Sequence, residues 1–322
     1  MCEATIKNEG DDYVIQTYGL TKRFDERIAL NNVDLSVPRA SAFGFVGPNG
    51  AGKTTFIRTL LGLTKPSSGA INLLGYTMPR DHSLALARVG GIVEEPRFHP
   101  HLTGRENLKI VAAAREPQAD GRIVGALERV GLSDRAQDLV KTYSTGMRQR
   151  LGVARCLLAD PLLLILDEPM NGLDPGGIDD FRLLIGSFVA EGRSVFLSSH
   201  LLDEVEKTCD HVAIIDQGNV LMQGLVQDIA RRDKPTIKFR CDSPDDAARL
   251  MAGQPGVDNF GRQEGSLIVT INAGERDEID NIVANLNRRL VEAGISVYAI
   301  ETERVSLEKR FLEMTSRLGA RG

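Results

Sequence analysis

The 322-residue sequence has no uninterrupted apolar stretch approaching the roughly 18 residues that a membrane-spanning helix needs. The best candidate, Leu162 to Leu166, stops at Asp167. The chain is therefore not expected to cross a bilayer itself. Cysteine is scarce, and Cys2, Cys156, Cys209 and Cys241 stand far apart with no C-x-x-C pair, so neither a zinc site nor a disulfide framework is indicated. Reduced, mostly structural thiols are expected. Blocks of one charge sign are missing too. The 39 Lys and Arg and the 44 Asp and Glu are interspersed, with a net charge of −5, which argues against a nucleic-acid partner. Residues 1–12, polar and acidic, lack the basic-then-apolar order of a secretory signal and read as a flexible lead into a cytosolic protein.

What remains is ordinary for a soluble globular chain, at 42% hydrophobic and 26% charged residues, and the length suggests about two domains. From Tyr13 onward, short apolar runs alternate with Gly-rich turns and helical stretches, the pattern of an α/β domain with a largely parallel sheet. Ala42 to Val46, Leu162 to Leu166, Ser194 to Leu197 and Val212 to Ile215 read as buried strands. A long, mostly helical insertion is expected between the first two, over roughly 84–160, with apolar periodicity at Ile123 to Val130 and Met147 to Leu158. This domain is placed at 13–232. An accessory α+β domain is placed at 233–322, after the Asp233-Lys-Pro punctuation, with the βαββαβ order of a ferredoxin-like fold. A last helix, Ser306 to Leu318, carries Leu307, Phe311, Met314 and Leu318 on one stripe.

Gly47-Pro48-Asn49-Gly50-Ala51-Gly52-Lys53-Thr54-Thr55 satisfies G-x-x-x-x-G-K-[ST], and it follows an apolar strand and precedes a helical pattern, as the mechanism of that motif requires. Glycines let backbone N–H groups wrap phosphates, Lys53 reaches the β and γ phosphates, and the Thr54 hydroxyl ligates Mg²⁺. ATP and Mg²⁺ are the expected ligands. Leu162 to Leu166 then delivers Asp167 and Glu168 to the end of a buried strand, where open α/β sheets bind ligands. Asp167 suits the Mg²⁺ shell, and Glu168 suits the attacking water. Alone, an acidic pair in this position is as well read as a solvated turn.

These motifs, with Tyr143-Ser144-Thr145-Gly146-Met147-Arg148-Gln149-Arg150 just upstream of Asp167, resemble the nucleotide-binding subunit of ABC transporters over nearly all of residues 13–225. The resemblance implies a P-loop NTPase of ABC type with a helical signature subdomain. Two subunits, alike or different, would pair head to tail, so that Ser144, Thr145 and Gly146 meet ATP bound by the opposite phosphate loop. Ser144 also suits an N-cap. Asn171-Gly-Leu-Asp174-Pro175 resembles the loop that reaches the opposite subunit, and His200 the switch histidine that reads the γ phosphate. Phe24 occupies the place of the adenine-stacking aromatic, with Tyr18 a nearby rival. His82, His99, His101 and His211 receive no role. Thr145 and Met147 depart from the common Gly and Gln of the signature. Glu94 stands where most of the family has a Mg²⁺-ligating glutamine, and Glu95 competes for that place. Ile92-Val-Glu94-Glu95-Pro96-Arg97-Phe98-His99-Pro100 resembles the bacitracin and lantibiotic group of exporters, as does the C-terminal unit.

The function implied is a Mg²⁺-dependent ATPase, catalysing through Glu168 and His200, peripheral on the inner face of the cell membrane. It would power separate transmembrane permease subunits that export a drug, an antibiotic peptide or a lipid. A soluble ABC ATPase outside transport is the alternative, against which stand the single cassette and the absence of a heptad array or Cys hook. A module that holds ATP without turnover is a third, opposed by Glu168 and His200.

Overall fold

The computed structural model describes residues 12–115, 117–229, 235–263, 265–273, 276–303 and Leu307. The expected flexible lead, apart from Asp12, and the expected last helix, apart from Leu307, lie outside the described residues. The chain divides into two compact units, Met1–Val226 and Gln227–Gly322.

The first unit opens with two long strands, β1 (Tyr13–Phe24) and β2 (Arg27–Pro38), paired antiparallel. β3 (Ala42–Val46) then runs into α1 (Lys53–Leu60), followed by β4 (Ser68–Leu73), β5 (Tyr76–Met78), α2 (His82–Ala87) and β6 (Val89–Ile92). Next come α3 (Gly104–Ala113), α4 (Ile123–Arg129), α5 (Thr145–Leu157), β7 (Leu163–Leu166), α6 (Pro175–Ala190), β8 (Ser194–Ser199), α7 (Leu202–Thr208), β9 (His211–Asp216) and β10 (Asn219–Leu225), and α8 (Val226–Ile229) spans the unit boundary.

These strands make two sheets. One is antiparallel, in the order β2-β1-β4-β5; the other has six strands in the order β10-β9-β3-β8-β7-β6, parallel from β9 to β6. β3, β7 and β8 are buried at every residue, as a parallel sheet covered on both faces demands. All four strands read from their apolar runs lie in this sheet.

The expected helical segment 84–160 contains the end of α2 and all of α3, α4 and α5, and it is interrupted by one strand, β6, which pairs in parallel with β7. Its Val-Gly-Gly-Ile sequence carries no apolar run to announce it. The glycines are there for clearance: a Cβ on Gly90 would lie 2.6 Å from Cys156 Cβ, and one on Gly91 3.0 Å from Leu61 Cδ1. Beyond β6 the helices resume, with α3 opened by a capping box in which Thr103 and Glu106 exchange hydrogen bonds.

The second unit has β11 (Thr236–Cys241), α9 (Pro244–Met251), β12 (Val257–Gln263), β13 (Ser266–Ile271), α10 (Arg276–Glu292) and β14 (Val297–Glu303). Its strands form one antiparallel sheet in the order β12-β13-β11-β14, a split βαβ arrangement. Its separate core joins Ile237, Phe239, Met251, Leu267, Val269 and Leu290.

Candidate nucleotide site

The phosphate loop is the turn from β3 into α1, and glycine sets its shape. Gly50 and Gly52 take φ of 83° and 113°. A Cβ on Gly52 would stand 2.5 Å from the Ala29 carbonyl oxygen, and one on Gly47 2.1 Å from that of Ile215. Behind the loop, the buried rings of Phe45 and Phe56 meet with centroids 4.7 Å apart, tying the strand to the helix. No side chain caps α1, so its first N–H groups face the loop as donors.

Lys53 lies within this turn, only 6% exposed. Its Nζ donates to the carbonyls of Gly47 at 2.7 Å and Pro48 at 3.2 Å, and pairs with Glu168 Oε1 at 3.1 Å. Asp167 and Glu168 leave the C-terminal end of β7. Asp167 is buried, and Ser198 Oγ donates to its Oδ1 at 2.6 Å while accepting from the Glu168 N–H at 2.9 Å. One hydroxyl thus orients both acidic residues. Glu168 has a φ of 47°, a left-handed conformation that a side chain adopts only when its surroundings enforce it. The resulting kink aims its carboxylate at His200, whose Nδ1 is 2.8 Å from Oε2 and whose N–H donates to the same oxygen at 3.3 Å.

Phe24, Asn49, Gly50, Gly52, Lys53, Thr54, Thr55 and Glu168 line one cavity of about 430 Å³. Arg27 and Arg58 line it too, and neither is evident from motif reading. Arg58 had a findable signal, since it lies one helical turn beyond Thr54 and so on the same face of α1. Ser198 had only its place on the strand before His200. Tyr18 and the four unassigned histidines are outside that lining, as are exposed Pro48 and buried Ala51 of the loop itself.

The structure does not bring every candidate to this cavity. Glu94 has a φ of 61°, and its carboxylate accepts from Arg58 Nη2 at 2.6 Å; the exposed side chain stands outside the lining. Glu95 turns the other way, to Arg148 of α5, with Oε1 3.5 Å from Nε. Ser144 caps α5, its Oγ accepting from the Met147 N–H at 3.2 Å, and Asp174 caps α6, its Oδ1 accepting from the Gly177 N–H at 3.0 Å. Ser144, Thr145, Gly146 and Asp174 line a second cavity, of about 580 Å³, which shares no lining residue with the first.

The glycine-shaped loop, its buried lysine and the acidic pair at a strand end suit a nucleoside triphosphate. Comparison with known proteins agrees. The family described as ABC transporter matches residues 30–171. The chain is 39% identical to the bacitracin transport ATP-binding protein BcrA of Bacillus licheniformis, over 94% of this chain and 97% of that protein. It is also 39% identical to the lantibiotic transport ATP-binding protein SrtF of Streptococcus pyogenes, over 65% of this chain and 90% of the relative. Among solved structures, cbiO1 of Clostridium perfringens, part of the ABC transporter complex cbiONQ, superposes with a TM-score of 0.63 at 26% identity, covering 68% of this chain and 90% of that one. Loop, acidic pair and near full-length similarity converge: the chain belongs to the ABC transporter family, as an ATP-hydrolysing transport ATPase.

Proposed function

We propose that two copies of this subunit, or one copy with a related partner, clamp ATP between the phosphate loop of one chain and the Ser144 turn of the other. The observation that carries this reading is that one chain presents the two groups in separate cavities, so neither alone surrounds a nucleotide. Phe24 stacks on adenine. Residues Gly47 to Thr55 hold the phosphates, and Ser144, Thr145, Gly146 and Asp174 close on them from the other copy.

Lys53 exchanges Glu168 for phosphate oxygens when ATP enters, and the released carboxylate takes a proton from the attacking water. His200 holds that carboxylate in line and reads the γ phosphate. A Mg²⁺ ion, when bound with the triphosphate, would supply neutralisation of the charge on the phosphoryl group. Thr54 and Asp167 would hold it, and the donor set fits: Mg²⁺ is usually held by one or two carboxylates plus phosphate oxygens and water. Glu94 joins that set only by leaving Arg58. Ser198 keeps Asp167 in place throughout.

Closure of the pair then drives separate permease subunits at the inner face of the cell membrane, where this cytoplasmic protein is peripheral and binds no nucleic acid. Residues 13–232 form the ATPase domain, and 233–322 an accessory domain. Given the bacitracin and lantibiotic transport relatives, the cargo is exported and belongs with drugs, antibiotic peptides or lipids. The test is twofold. Purified chain is expected to release phosphate from ATP only with Mg²⁺, and to copurify with a membrane protein of about six apolar spans when expressed with its neighbouring genes. A chain that binds ATP and never turns it over, with or without that partner, would sink the proposal.

A further inference from the structure

Arg148 occupies the first turn of α5, and its guanidinium reaches both sides of Ser144. Nη1 donates to the Tyr143 carbonyl at 2.6 Å, and Nη2 donates to Thr145 Oγ1 at 3.2 Å. The remaining edge faces Glu95, whose Oε1 lies 3.5 Å from Nε. A planar fork of this kind fixes the relative position of the groups it bonds, which a flexible ammonium does not.

The residues gripped are themselves anchored. Tyr143 is buried, and its hydroxyl donates to the Arg135 carbonyl at 2.6 Å. Between the two grips, Ser144 Oγ accepts from the Met147 N–H. Accepting uses a lone pair and leaves the hydroxyl proton free to donate. The turn therefore keeps a hydroxyl donor available at the helix end, in the lining of the cavity it shares with Asp174. Thr145 supplies one of the two grips through its side chain. A glycine there has no oxygen for Arg148, and the turn would be held from one side only.

We propose that Arg148, backed by Glu95, is a positioning residue that sets the Ser144 to Gly146 turn for the triphosphate of the opposite copy, and that Thr145 is the acceptor through which it does so. This rests on the reading of that turn as a nucleotide contact in trans. Arg148 touches no phosphate in this scheme; it acts through Tyr143 and Thr145.

The experiment uses the full chain carrying Glu168→Gln, with ATP and Mg²⁺, and measures dimerisation by sedimentation velocity. Adding Thr145→Gly, which removes one of the two grips, is expected to weaken the dimer about tenfold, the size of one lost hydrogen bond, and Arg148→Ala, which removes both, by at least as much. Thr145→Ser, which keeps the hydroxyl, is expected to stay within about twofold of the parent, on the same hydrogen-bond scale. ADP binding to the single chain, read by calorimetry, reports the phosphate loop alone and shows whether each variant is folded. Dimers of Thr145→Gly and Arg148→Ala as tight as the parent's overturn the proposal. So does a fall in ADP binding that keeps pace with the loss of dimer, because Arg148 would then be supporting the fold. If the Glu168→Gln parent itself forms no dimer with ATP, the trans reading fails, and this inference fails with it.

Discussion

Glu168 stands in a left-handed conformation that costs roughly 1–3 kcal/mol, and it spends its charge on Lys53 at 3.1 Å while His200 holds its other oxygen at 2.8 Å. A carboxylate in that place would, on the proposed reading, compete with phosphate for the same ammonium group. Replacing Glu168 with Gln is therefore expected to do two things at once. Hydrolysis falls by about 100-fold or more as the proton acceptor is lost. ADP binds about three- to tenfold tighter, because a charged hydrogen bond no longer has to be given up. Phosphate release and calorimetry check the two arms, and unchanged ADP affinity would remove Glu168 as a competitor. The cysteines give a second prediction at this scale. Burial pushes the Cys156 thiol up to about 11, and raises that of Cys209 further. In an unfolded chain a thiol titrates near 8.5, so the folded state holds these protons over a range where the unfolded state sheds them. Their contribution to stability is intact below about 8.5 and is lost as pH rises toward the folded value. At pH 8, iodoacetamide should leave Cys156 and Cys209 unmodified in the native protein and label both in urea, as read by mass spectrometry.

At the scale of elements, the site depends on how closely helices approach the central sheet. In β3, a Cβ on Gly44 would lie 2.2 Å from Val205 Cγ1 of α7, so the strand that delivers the phosphate loop tolerates nothing larger than glycine there. Gly44→Ala is expected to destabilise the protein by about 1–3 kcal/mol in urea unfolding, as overpacking does. Removing the obstructing methyls with Val205→Ala should recover part of that loss, a coupling that a double-mutant cycle measures. Strict additivity of the two changes would mean that the clash is relieved elsewhere. The same clearance governs β6, where Gly90 and Gly91 let α5 and Leu61 pack against the sheet. That is why a strand escaped the pattern of apolar residues: its residues were chosen for closeness and not for hydrophobicity. The antiparallel sheet of β1, β2, β4 and β5 was likewise not separable from the α/β alternation, since its pairing joins residues such as Ile15 and Leu73.

As a whole molecule, the chain is two compact units, each with its own buried cluster. Residues 227–322 expressed alone are expected to unfold in one cooperative transition in urea, monitored by circular dichroism, and a broad, non-cooperative loss of signal would count against an independent core. The amino-acid sequence by itself determined the phosphate loop, the Asp167 and Glu168 pair, the Ser144 cap and the four buried strands, because each rests on local chemistry. A glycine turn, a strand end or a helix start is written in neighbouring residues. Tertiary structure alone decided that Ser198 aligns both acids, that Arg58 takes Glu94 while Arg148 takes Glu95, and that β6 enters the central sheet. It also decided that the phosphate loop and the Ser144 turn line different cavities. Each of these depends on side chains remote in sequence being set a few ångströms apart by strand register and helix packing, and no local pattern records that distance.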